Sequence, residues 1–118
     1  MEIVIKKNSE NIHLIELAGD MDLGGSEKLK DLLMNLIKNR IKCFIINLKR
    51  VTNMDSTGIG ALIFVSSTLK KFNCPLVIIV PDGPVMQALE VTKMKNYFVI
   101  ARSVKEALVL ASPKKKKS

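Results

Sequence analysis

The stretch Asn53-Met54-Asp55-Ser56-Thr57-Gly58-Ile59-Gly60-Ala61-Leu62 constrains this chain more than any other. Before it runs Cys43-Phe44-Ile45-Ile46-Asn47-Leu48, an apolar segment of strand length broken only by Asn47. After it, residues 59–72 carry Ile59, Leu62, Ile63, Phe64, Val65 and Leu69, a span long enough for a helix. A buried strand that turns into a helix leaves backbone N–H groups unpaired at the helix start, where the helix dipole is positive. Ser56 lies at that end, between Asp55 and Thr57. A hydroxyl there can cap the helix, bind an anion or carry a phosphate.

The remaining chain alternates strands and helices around this turn. Residues 2–7 read as an edge-like strand and residues 12–18 as a second, joined by the polar turn Asn8-Ser9-Glu10-Asn11 into an antiparallel hairpin. Gly19-Asp20-Met21-Asp22-Leu23-Gly24-Gly25 reads as a break in regular structure. Ser26 is then expected to cap a helix to about Arg40, with Leu29, Leu32, Leu33, Leu36 and Ile37 on one stripe. Residues 49–53 carry the chain round to the Ser56 turn. Gly58 and Gly60 are poor helix formers, so their place in the first turn of the next helix implies close backbone approach to the sheet or to a partner.

Lys70-Lys71 suits the negative end of that helix. Residues 75–80 read as a fourth strand. Asp82 and Pro84 mark a helix start, with Val85, Met86, Leu89 and Val91 turned inward. Residues 97–100 form a short edge strand, and Ser103-Val104-Lys105-Glu106 has capping-box spacing for a last helix to about Leu110. The fold class is α/β, with a mixed sheet of four or five strands and about four helices packed against it.

Charge and cysteine content exclude several functions. The net charge is +8, but four of the 19 basic residues are Lys114 to Lys117, after Pro113. One Tyr and no Trp leave no platform on which bases could stack, so direct nucleic-acid binding by the domain is not expected. Residues 1–111 are read as one domain and 112–118 as a basic, disordered tail. No apolar run reaches the ~20 residues of a membrane span, and the first residues do not resemble a signal peptide, so a cytoplasmic address is expected. Cys43 and Cys74 lack metal-ligand spacing and are read as reduced, buried thiols. His13, the one histidine, is read as a sheet residue. No nucleophile–base pair accompanies it, and the Gly-x-Gly of residues 58–60 lacks the Lys-Ser/Thr of a phosphate-binding loop. Catalysis is therefore not expected, nor is a cofactor or a metal.

With these elements placed, the chain resembles the STAS-domain anti-sigma factor antagonists of bacteria over residues 3–110. Asn47-Leu48 followed by Met54-Asp55-Ser56-Thr57-Gly58-Ile59-Gly60 is similar to that family's strand, phosphorylation loop and helix start. Gly19-Asp20-Met21-Asp22 is similar to its Gly-x-x-Asp loop, and residues 103–108 to its closing helix. The resemblance implies a STAS-like fold and a partner switch. In such a switch the unphosphorylated antagonist binds an anti-sigma factor that is also a serine kinase, which then phosphorylates the serine after the loop aspartate, here Ser56. A serine phosphatase reverses the modification. The partner surface expected on this basis comprises Asp20, Asp22, Asp55, Ser56, Thr57, Gly58 and Gly60, with the exposed side of the following helix. The rival reading keeps the fold without the switch, as a scaffold or accessory subunit of a signalling or lipid-transport complex.

Overall fold

The chain builds its sheet outward from a long central strand, β3 (Cys43–Met54). The computed structural model describes residues 2–7, 12–38 and 43–111. On one side of β3 lie β2 (Ile12–Met21) and, at the edge, β1 (Glu2–Lys7); on the other lie β4 (Leu76–Ile79) and β5 (Val99–Ala101). β1 pairs antiparallel with β2, and every later pairing is parallel. The spatial order of the five strands is their order in sequence. Three successive parallel crossovers in one direction, each right-handed, must place their helices on one face of the sheet. Accordingly α1 (Leu23–Leu36), α2 (Ser56–Lys71) and α3 (Pro84–Val91) share a face, and α4 (Val104–Ala111) follows β5 onto the other.

This two-sided cover explains why β3 reads as an unbroken apolar run. Phe44, Ile46 and Leu48 point into the layer that holds Leu33, Leu62 and Leu89. Cys43 and Ile45 point the opposite way, towards Ala107 and Ala111 of α4. Alanines at those two positions let α4 lie close to the sheet; both are buried. Cys74 belongs to the first layer and Cys43 to the second, and both are free thiols. Burial pushes Cys43 up to about 12 and Cys74 to about 11, which makes them inert. His13 is buried in β2 with its ring stacked towards Phe44, as a sheet residue.

Several boundaries differ from the sequence reading, each for a tertiary reason. β2 continues to Met21 because Gly19, Asp20 and Met21 pair with Val51, Asn53 and Met54 of a lengthened β3. Gly19 takes φ 97° beside the register shift, a conformation glycine adopts without strain. α1 starts earlier than expected: Asp22, not Ser26, is its N-cap, and the Asp22 carboxylate accepts from Gly25 N at 2.9 Å. Ser26 is instead buried within the helix, which ends at Leu36. Val91 is 81% exposed and does not join Val85, Met86 and Leu89 in the core. A single 3-10 turn, Lys95–Tyr97, delays β5 to Val99. In α4 the Ser103 hydroxyl accepts from Glu106 N at 3.1 Å, while the Glu106 carboxylate accepts from Arg102 N at 2.7 Å. The 8–11 turn, residues 39–42 and the 112–118 tail lie outside the described residues.

The two glycines of α2 serve different ends. A Cβ on Gly58 would stand 2.8 Å from Met54 Cγ and 3.1 Å from the Met21 carbonyl oxygen, whereas one on Gly60 would meet nothing within 4 Å. Gly58 is therefore the close approach that lets α2 settle on the ends of β2 and β3. Gly58→Ala is expected to lower stability by about 1–3 kcal/mol through overpacking. Gly60→Ala should raise it by about 0.5–1 kcal/mol, since alanine is the better helix former. Urea unfolding midpoints of the two variants check both signs.

Candidate functional site

One carboxylate organises the turn between β3 and α2. Asp55 has extended backbone, and its Oδ1 accepts from three donors: Thr57 N at 3.0 Å, Gly58 N at 3.3 Å and Thr57 Oγ1 at 2.6 Å. The Thr57 hydroxyl first, and then the Gly58 N–H, hold the Asp55 carboxyl below its ordinary range. The N-cap is thus Asp55 and not Ser56, the first residue of the helix. Capping is the use of the Ser56 hydroxyl that the geometry removes. Ser56 is exposed, and its hydroxyl makes no hydrogen bond among the described residues. Its neighbour Thr57 has its hydroxyl tied down by Asp55. Of the two adjacent hydroxyls, only that of Ser56 is left available for chemistry.

The start of α1 repeats this arrangement one strand away. Met21-Asp22-Leu23-Gly24-Gly25 and Met54-Asp55-Ser56-Thr57-Gly58 share the pattern Met-Asp-x-x-Gly, and both aspartates are N-caps with near-identical extended backbone. Because β2 and β3 run parallel with Met21 opposite Met54, the two helix starts emerge side by side. The Ser26 hydroxyl donates to the Thr57 carbonyl oxygen at 3.3 Å and ties α1 to α2 at this end. Asp20, at the end of β2 beside Asn53, is exposed at the same edge.

The structure therefore brings Asp20, Asp22, Asp55, Ser56 and Thr57 to one end of the sheet. Gly58 lies beneath them, buried, and Gly60 lies one turn further along the exposed side of α2. That side continues from Ser56 and Gly60 to Phe64, which is 37% exposed with Lys30 of α1 5.5 Å above its ring. A region that sequence reading missed lies on the other side of the turn. A shallow groove of about 380 Å³ runs between Asp55-Ser56 and α3, where Pro84, Gln87, Ala88 and Val91 form its far wall. Val91 follows Leu89 by two residues, about 200° round the helix, so the inward stripe itself argued that Val91 faces out.

Asp55 should leave a mark on acid stability. A carboxyl held low in the folded state contributes stability above its unfolded pKa, near 4, and loses it as pH falls through the folded value. Asp55→Asn keeps a capping side chain but cannot titrate. The wild-type advantage over Asp55→Asn is expected at pH 7 and should shrink on acidification from pH 5 to pH 3, read from urea midpoints at each pH.

Comparison with known proteins agrees with this architecture. Residues 4–107 match the family model of the STAS domain. The chain is similar in structure to an anti-sigma factor antagonist from Mycobacterium paratuberculosis, with TM-score 0.77 and 15% identity over 93% of this chain and 92% of that one. It is similar to the Bacillus cell fate determinant SpoIIAA in its phosphorylated form, with TM-score 0.73 and 16% identity over 94% and 100% of the two chains. A sulfate transporter family protein from Wolinella succinogenes is similar as well, with TM-score 0.73 and 24% identity over 90% and 88%. At these identities the solved structures speak to the fold, while the family match covers most of the chain. The chain belongs to the STAS-domain family.

Proposed function

We propose that this STAS domain is an anti-sigma factor antagonist, a cytoplasmic binding module and not an enzyme. In this reading it binds an anti-sigma factor that is also a serine kinase while Ser56 is unphosphorylated. Phosphorylation of Ser56 switches it off, and a serine phosphatase resets it. The observation that carries the reading is the division of labour at the turn: Asp55 caps α2 and engages Thr57, leaving Ser56 exposed with an unengaged hydroxyl.

The electrostatics suit a binding switch. A phosphate adds about −1.5 to −2 charges at neutral pH. At the first residue of α2 the helix dipole and nearby N–H groups favour that charge, so the fold can hold it. Asp55 stands next to it, and Asp20 and Asp22 share the same end of the sheet, so the surface a partner meets becomes strongly negative. The partner surface is the Ser56 turn with Asp20, Asp22, Asp55 and Thr57, and the exposed side of α2 at Gly60. Gly58 contributes by setting the seat of the helix.

The likeness to a sulfate transporter family protein favours a second reading, in which the same fold serves as a scaffold or accessory subunit without phosphorylation. Phosphosite mapping after incubation with ATP and the kinase captured by the unphosphorylated chain separates the two. Phosphate on Ser56 is the expected result, and Ser56→Ala should abolish it while keeping partner binding. Phosphate on Thr57 alone, or on neither residue, would favour the scaffold. Replacing Gly60 by a bulky residue such as Trp should weaken partner binding roughly tenfold or more with the melting curve little changed, because the position is open on the folded chain.

A further inference from the structure

We propose that β1 is a self-pairing edge, through which two copies of this chain join their sheets antiparallel about a two-fold axis at Val4. β1 is six residues long and, among the described residues, pairs with β2 alone and is the outermost strand of the sheet. Alternate residues of such a strand turn backbone N–H and C=O groups away from their neighbour. The opposite edge, β5, has three residues, too few for an equivalent ladder.

The occupant is named by the charge pattern of the strand. In antiparallel self-pairing centred on Val4, Glu2 of one copy faces Lys6 of the other, Ile3 faces Ile5, and Val4 faces Val4. Each strand then contributes one acid and one base to two equivalent ion pairs at the ends of an apolar centre. Parallel pairing would set Glu2 against Glu2 and Lys6 against Lys6, so the same charges reject it. Charged edges ordinarily keep sheets apart. Here the opposite signs at the two ends make the edge complementary to itself, as an isologous contact requires.

The side chains are placed to respond to such a neighbour. Val4 is 45% and Ile5 48% exposed, high for apolar residues in a strand. Lys6 lies 3.4 Å from Glu16 of its own β2 yet keeps a 56% exposed side chain, so it can reach an acid across the edge as well. Ser56 follows the end of β3, two strands inward from this edge, so joining the sheets leaves that turn open in both copies.

Sedimentation equilibrium of the full chain over a concentration series tests the proposal. Wild type should self-associate reversibly to a dimer, with weaker association at 1 M than at 50 mM salt. Glu2→Lys places lysines at both ends of the strand and Lys6→Glu places acids at both, so each variant alone should associate at least tenfold more weakly. An equimolar mixture of the two should regain association, because both lysines of one variant then face the two glutamates of the other. Far-UV circular dichroism melts establish that each variant is folded. A wild type that stays monomeric to millimolar concentration, single variants that associate like wild type, or a mixture that fails to associate would each overturn the proposal.

Discussion

The three hydrogen bonds gathered by Asp55 Oδ1 are the interaction on which the candidate site depends. They end β3, begin α2 and decide which of two neighbouring hydroxyls is available. Were Ser56 the cap, its oxygen would be engaged by the helix N–H groups, and modifying it would rearrange the hydrogen bonds that begin the helix. With the cap on Asp55, the helix start keeps its hydrogen bonds whether or not Ser56 is modified. A site that can change charge without unfolding is what a reversible binding surface requires.

The arrangement above the sheet follows from handedness and sequence order together. Parallel strands laid down in order, with right-handed crossovers, put α1, α2 and α3 on one face. β2 and β3 end at the same level, so the helices that follow them start as neighbours. Gly58 then allows α2 to settle against Met21 and Met54, and the Ser26 hydroxyl ties α1 to it. The acidic residues at this end are thus assembled by the common register of the two strands, far apart though they lie in sequence.

The central strand, the α2 span and the α/β class were legible because they rest on local signals, a continuous apolar run and a helical stripe. Boundaries were less so. Asp20 and Met21 sit in a glycine- and aspartate-rich segment that reads as loop, yet pairing with Asn53 and Met54 makes it strand. Asp55, Ser56 and Thr57 are three adjacent capping residues, and local pattern does not choose among them. The repeated Met-Asp-x-x-Gly was a signal in plain view: whichever aspartate caps one helix, its counterpart caps the other. The groove beside α3 had no sequence signature, since it exists only once the crossover from β4 has brought Pro84 and Gln87 near Ser56.

In the proposed switch, charge at Ser56 controls partner binding without disturbing the fold. The most direct measurement is a binding titration of the captured kinase against two preparations of this chain, unmodified and phosphorylated at Ser56, with circular dichroism spectra of both. Affinity at least tenfold lower for the phosphorylated chain, about 1.4 kcal/mol or more, is expected, with superimposable spectra. Equal affinities, or a loss of affinity accompanied by a loss of helical signal, would contradict the proposed switch.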